Sequence, residues 1–267
     1  VRPRAPETME EAGLTLAFVQ DLAIKHLYRS SVLNGRELAL HLHLPYLLIE
    51  PVLEQIVEMA LVEKRGGKGL GGATDRFALT ERGKSHARDL LLIDTYVGPA
   101  PVPLDRYSEY IREHNLNRLE IDETLLRQGW RDFILDESLF AQVGPAICSG
   151  KSCFLYGPPG TGKTTIAKAI ARLLDERVGG AAIPHALLVG DSLIRLFDPV
   201  YHLPIQKSTF SEADSLWLAD TQEDQRWVAC HRPCVMVGGE LTLDMLDLRY
   251  NSVSKFYEAP LQLKANA

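Results

Sequence analysis

No stretch of the 267 residues gathers the roughly eighteen consecutive apolar side chains that a membrane-spanning helix needs. The opening Val1-Arg2-Pro3-Arg4 has no apolar core of the kind that directs secretion. Together these predict a chain that avoids the membrane and sits in the cytoplasm. The start at Val rather than Met reads as a fragment or a processed chain. Cysteines are scarce: Cys148, Cys153, Cys230 and Cys234 are too few and too unevenly spaced for a disulfide framework in a chain of this length. Cys153 falls in an apolar run where a small buried side chain is expected, which argues for reduced structural thiols over a zinc site. Cations are also in the minority. With 29 Lys and Arg against 35 Asp and Glu, the net charge of −6 excludes a global pull toward nucleic acid or anionic lipid, so any DNA contact has to be local.

Against that background one segment carries specific chemistry. The run Cys153-Phe154-Leu155-Tyr156 leads into Gly157-Pro158-Pro159-Gly160-Thr161-Gly162-Lys163-Thr164, followed by Ile166, Ile170, Leu173 and Leu174 at helical spacing. Strand, glycine-rich loop and helix in that order make a phosphate-binding loop. The glycines let backbone N–H groups turn inward around an anion, and a helix beginning near Gly162 aims its positive end at the same place. The predicted ligand is ATP with Mg2+, bound through Gly157, Pro158, Pro159, Gly160, Thr161, Gly162, Lys163, Thr164 and Thr165. Lys163 is the expected catalytic cation, reaching the β- and γ-phosphates, and the Thr164 hydroxyl the expected Mg2+ ligand. Gly179-Gly180 marks the end of the helix.

Upstream, Leu16, Val19, Leu22, Ala23 and Leu27 predict a helix over 15–30, with a short helix over 36–43 and a third marked by Leu48, Val52, Ile56 and Met59, in which Pro51 is expected in the first turn. The period then changes: Leu61 to Lys64 reads as a strand, Gly66 to Gly72 as a glycine loop, Arg76 to Leu79 as a returning strand, and Thr80 as the cap of a helix running to about Ile93. Pro99, Pro101 and Pro103 predict a stiff, extended linker. The expected division is 1–94, linker 95–115, and nucleotide domain 116–267. Beyond the loop helix, Ile183 to Val189, the turn Gly190-Asp191, and Leu193 to Phe197 read as a hairpin. Ser211 to Asp220 reads as a short helix, with strands at Trp227 to Cys230 and Cys234 to Val237. Trp217 and Trp227 are expected in the core, and His185, His202 and His231 on the surface or in loops.

A nucleotide hydrolase also needs an apolar strand ending in a carboxylate. Neither candidate downstream of Lys163 suits. Asp191 ends Leu187 to Gly190 in what reads as a turn, and Val235-Met236-Val237-Gly238-Gly239-Glu240 has glycines where the aspartate should stand.

The stretch from Pro145 through Leu174 resembles the opening of an AAA+ ATPase domain, and Lys255 to Ala265 is similar to the segment that precedes the Walker B strand in several AAA+ branches. Arg36-Glu37-Leu38-Ala39, Leu61-Val62-Glu63 and Phe77 to Gly83 resemble bacterial winged helix-turn-helix domains. The resemblance implies an α/β P-loop NTPase domain of AAA+ type, a three-layer parallel sheet incomplete at its carboxyl end, preceded by an α+β winged helix. It further implies a bacterial ATP hydrolase that remodels a protein client, works as a homo-oligomeric ring of hexamer type, and ends in this chain before its Walker B carboxylates, sensors and arginine finger. Charge weighs on the role of the winged helix. From Tyr46 to Glu63 there is no Lys or Arg, while Glu50, Glu54, Glu58 and Glu63 recur, so phosphates repel the third helix. Lys64, Arg65, Lys68 and Arg76 cluster at the wing, which keeps DNA as a possible partner and a nucleotide-switched DNA-binding regulator as the alternative to a protein-interaction module.

Overall fold

The computed structural model describes residues 2–66, 74–114, 123–130, 137–148, 156–205, 222–237 and 241–266. Short polar side chains set the helix starts in the first ninety residues. α1 (Met9–Ala12) is capped by the Thr8 hydroxyl, and α2 (Leu16–Ser30) by that of Thr15, which accepts from the Phe18 amide. β1 (Val32–Asn34) runs into α3 (Gly35–Leu42) through a capping box in which Asn34 and Glu37 bond each other's backbone amides. α4 (Tyr46–Glu58) begins earlier than its apolar spacing suggested, so Pro51 lies inside the helix rather than in its first turn. It is tolerated there because it sits on the exposed face, where the carbonyl of Leu47 that loses its partner can turn to water.

β2 (Val62–Lys64) and β3 (Arg76–Leu79) are antiparallel neighbours, and β1 pairs on the other side of β3, giving the order β1-β3-β2. α5 (Glu81–Ile93) follows at once, its first turn held by the Thr80 hydroxyl, which accepts from Gly83 N and donates to Ala60 O. Ile24, Leu27, Leu38, Leu42, Ile49 and Ile56 are fully buried between these helices and the sheet.

The proline-spaced stretch is extended and packed. Tyr96, Ala100 and Val102 are buried, and the Ala100 amide bonds Leu42 O at 2.9 Å. β4 (Val102–Pro103) joins a five-stranded mixed sheet with β6 (Ala186–Val189), β7 (Ser192–Arg195), β9 (Arg249–Asn251) and β10 (Phe256–Glu258), in the order β4-β6-β7-β10-β9. β4 and β6 are parallel, as are β7 and β10. β6 and β7 form the hairpin expected around Gly190-Asp191, with Gly190 at φ 57°. β5 (Ala181–Pro184), which the sequence merged with that hairpin, instead pairs antiparallel with β8 (Trp227–Cys230). α6 (Leu104–Glu113) covers this region through Tyr107 and Tyr110, which stack near the buried Trp227. A 3-10 turn spans Leu243–Leu246, and α10 (Leu261–Lys264) lies near the end of the described chain.

α7 (Glu123–Gly129), α8 (Glu137–Cys148) and α9 (Lys163–Val178) share a separate small core of Leu126, Trp130, Phe140, Val143, Ile166, Ala169 and Leu173. The mixed α/β organisation fits a P-loop NTPase. A three-layer parallel sheet around the loop is not seen among the described residues; the strand expected at Cys153 to Leu155 and the helix expected at Ser211 to Asp220, with Trp217, lie outside them. Residues 234–237 carry no strand. No helix among the described residues is long and apolar enough to cross a membrane.

Candidate phosphate-binding site

The loop is exposed from Gly157 to Thr161, half-buried at Gly162, and turns through three glycines with positive φ: Gly157 at 148°, Gly160 at 82° and Gly162 at 84°. A side chain at the last two would meet nothing within 4 Å, so glycine is needed there for backbone conformation and not for room. Gly162 stands at the N-cap of α9 and offers no side-chain cap, which leaves the amides of the first helical turn to whatever lies beyond the loop. The first helical bond runs from Ile166 N to Gly162 O at 2.9 Å. Uncapped amides and the positive end of a sixteen-residue helix are a donor set that suits an anion.

Lys163 opens that helix, where its charge is unfavourable. Its ammonium is folded back and donates to Gly157 O at 2.9 Å, Pro158 O at 2.6 Å and Thr161 Oγ1 at 3.2 Å, while the Thr161 hydroxyl donates to Pro158 O at 2.9 Å. The Gly157 and Pro158 carbonyls and the Thr161 hydroxyl thus converge on the Lys163 ammonium, with Thr164 and Thr165 exposed on the first turn. An ammonium balanced by three neutral acceptors gains when a phosphate replaces them, because charge-assisted bonds are about twice as strong. The donor set fits a polyphosphate, and an exposed hydroxyl at Thr164 fits a hard cation such as Mg2+.

α9 is tied to the rest of the molecule by a contact with no local sequence signal. Asp175 accepts from His231 Nδ1 at 2.7 Å and from Arg232 N at 2.8 Å, and the Arg232 guanidinium donates to His114 O at the end of α6. The partners are 56 and 57 positions apart, so only the fold brings them together.

Other candidates fall elsewhere. Asp191 is exposed in the β6–β7 turn, Asp244 lies in the 3-10 turn, and Glu240 is outside the described residues. His202 departs from its expected surface position: it is fully buried, its Nδ1 accepting from Asp198 N and its Nε2–H donating to Lys264 O, which fixes a neutral tautomer that burial keeps below the ordinary histidine pKa. Burial likewise pushes the Cys230 thiol up to about 11, while Cys234 is exposed. His41 stacks on His26 and His43 packs edge-on against His185, so the two residues flanking Leu42 serve different neighbours. Around β2 and β3, Lys64 faces Asp75 at 3.6 Å and Arg65 bonds Glu63 at 2.8 Å, which spends part of the local positive charge; Lys68 lies outside the described residues.

Residues 153–196 match the family model described as ATPase family associated with various cellular activities (AAA). The chain is 42% identical over 66 residues to the ATP-dependent zinc metalloprotease FtsH of Rickettsia felis, a match covering 25% of this chain and 9% of that protein. It is 31% identical over 142 residues to FtsH 1 of Methylacidiphilum infernorum, covering 53% of this chain and 18% of that protein. The chain therefore spans less than a fifth of these relatives, and no solved structure matches it. The family match over the loop and its helix, with these similarities, supports an AAA-type ATPase.

Proposed function

We propose that the chain carries the nucleotide-binding segment of an AAA+ ATPase that binds ATP with Mg2+ and, in the whole protein, hydrolyses ATP to remodel a protein partner. The observation that carries this reading is the uncapped start of α9 behind three positive-φ glycines, with the Lys163 ammonium held among the described residues by three neutral acceptors. Lys163 would leave the loop carbonyls to neutralise the phosphate tail, the amides of the first turn would bind its oxygens, and Thr164 would hold Mg2+. Bound MgATP supplies a phosphoryl group whose transfer to water is the source of work. Association into a ring belongs to the same reading, since a neighbour would then supply the arginine finger.

The first ninety-four residues read as a winged helix serving as an interaction module. Its support is the order of α2, β1, α3, α4, the β2–β3 ribbon and α5, together with an α4 free of cations. That same charge pattern disfavours a nucleotide-switched DNA regulator.

The test is binding of a fluorescent ATP analogue to the chain and to Lys163→Ala. Loss of a charged hydrogen-bond donor, at about 1.5–3 kcal/mol, weakens binding by about tenfold or more. Equal affinity in the two proteins would overturn the assignment.

A further inference from the structure

α9 carries a charge of unfavourable sign near each end. Lys163 stands at its first residue, where the helix dipole is positive, and Asp175 lies in its last turn, where the dipole is negative. The loop acceptors answer Lys163. At the other end, Glu176 is met within the helix by Arg172 at 3.2 Å, and the side chain of Arg177 lies outside the described residues. Asp175 is met from distant chain: its Oδ2 accepts from His231 Nδ1 and its Oδ1 from Arg232 N. A carboxylate in that turn weakens α9 taken alone, so what it stabilises is the contact with the chain that it reaches.

That contact lies at a seam. The main chain leaves α6 at His114 and next forms α7; it returns from α9 through Gly179 to β5, the partner of β8. His231 and Arg232 directly follow β8 and hold both crossings, because the Arg232 guanidinium donates to His114 O at 3.3 Å while its amide donates to Asp175. β8 also closes on the returning chain, where a Cβ on Gly180 would lie 2.4 Å from Cys230 O. On one side of the seam the core is Leu126, Phe140, Ile166 and Leu173 with their neighbours, and on the other it is Val102, Ile183, Leu187 and Trp227 with theirs. Two separately packed units joined by adjacent crossings pivot there unless a contact fixes the angle.

We infer that Asp175 is a positioning residue for the phosphate loop: through His231 and Arg232 it sets the angle of α9 against β8 and α6, so that a filled loop and a closed clasp favour each other. This linkage rests on the reading of α9 as the nucleotide-binding helix. Its sign follows from the clasped structure, in which the loop glycines already hold positive φ and the first-turn amides stand without a side-chain cap; the clasped pose is the one suited to phosphate. The linkage is mechanical. Lys163 and Asp175 are twelve residues apart, about 18 Å of helix, which exceeds the screening length of about 8 Å at physiological salt.

The experiment is titration of a fluorescent ATP analogue with Mg2+ into the full chain and its variants. Asp175→Ala weakens binding about fivefold or more, the lower end of ordinary coupling between sites. Asp175→Asn keeps an acceptor for the Arg232 amide and loses less. His231→Ala, at a side chain 54% exposed and so harmless to folding, also weakens binding, and adding it to Asp175→Ala costs nothing further because both act through one contact. Fraying of α9 does not imitate this pattern, since alanine in place of a carboxylate in the last turn favours the helix. By reciprocity, saturating analogue slows hydrogen exchange at the Arg232 amide of the parent by the same factor that Asp175→Ala loses in affinity. Asp175→Ala or His231→Ala binding the analogue as tightly as the parent, or exchange at Arg232 indifferent to it, would each overturn the linkage and leave the nucleotide site standing. A parent that binds no analogue would overturn the nucleotide reading, and the linkage with it.

Discussion

Arg226 and Asp224 form a fork-to-fork ion pair at the start of β8, with Nη2 to Oδ2 at 2.7 Å and Nε to Oδ1 at 3.0 Å, and their side chains only 3% and 4% exposed. The guanidinium also donates to Ala12 O at 2.9 Å and Pro101 O at 3.2 Å. One side chain thereby ties the end of α1, the proline-spaced stretch and β8 together. Nearby, Asp224 N bonds Pro3 O and Ala5 N bonds Gln222 O, so the amino terminus is stitched to the same segment.

Arg226→Met leaves Asp224 buried without its counter-ion and the two carbonyls without a donor. Breaking a buried pair from one side costs about 3–5 kcal/mol. Adding Asp224→Met removes the stranded charge and should recover part of that loss, giving a clear coupling energy in a denaturant double-mutant cycle. A cost for Arg226→Met below about 1 kcal/mol would contradict the role assigned to the pair.

Stability should fall as pH drops below neutrality. Burial lowers the pKa of both His26 and His185 from the ordinary 6.5 to about 4. Both rings are therefore neutral in the fold, while the unfolded chain takes up protons near 6.5; their contribution is complete above about pH 6.5 and is lost as pH falls toward 4. His26, 5% exposed and bonded to Gly98 O, accounts for up to about 3 kcal/mol of this loss, and the half-buried His185 for less. Urea midpoints from pH 7.5 to 4.5 check the slope, and His26→Gln should flatten it. A flat profile in the unsubstituted chain would refute the sign.

Two glycines should respond to alanine in different ways. At Gly83 an added Cβ would lie 1.9 Å from Leu61 O, so α5 must shift away from the chain entering β2; the expected loss is on the order of 1–3 kcal/mol of stability with nucleotide affinity unchanged. At Gly160 the added Cβ meets nothing within 4 Å, and the cost is only the left-handed backbone, about 1–2 kcal/mol, felt where the loop must hold its shape. Thermal melts and nucleotide titration on both variants separate the effects; the reverse assignment would be informative against the loop geometry.

Thr164→Val removes the hydroxyl and keeps the shape of the first turn of α9. Binding of the nucleotide without metal should stay within about threefold of the parent, while the gain on adding Mg2+ should disappear, because a hard cation needs an oxygen ligand. An undiminished Mg2+ effect, read by titration calorimetry, would place the metal ligand elsewhere.

Much of the first ninety residues was legible because its signals are local. Thr80 announces the start of α5 by what its own side chain bonds a few residues on, and the apolar spacing from Leu16 to Leu27 marks α2; the capping box at Asn34 was not legible in the same way. β1 was not legible: three residues are too short for alternation to register, and they become a strand only through pairing with β3. The start of α4 was missed because Pro45 caps it without a side-chain signal. Likewise β5 and β6 read as one strand, since only their partners, β8 and β7, distinguish them. At the candidate site, the loop from Gly157 to Thr165 could be named residue by residue. The fold-back of Lys163 and the Asp175 clasp could not, because neither follows from any spacing.

By itself, the order of residues determined the elements whose cause lies within one turn or one loop: the capped helices, the Gly190-Asp191 hairpin, and a glycine-rich loop poised on a helix amino terminus. Tertiary structure decided what depends on meeting distant chain. It packed Tyr96, Ala100 and Val102 into cores on either side of the prolines, buried His202, and brought Arg226 under Ala12 and Pro101. The division follows from range. Backbone dihedrals and caps are set by neighbours a few bonds away, whereas burial and ion pairing are set by which surfaces collapse together.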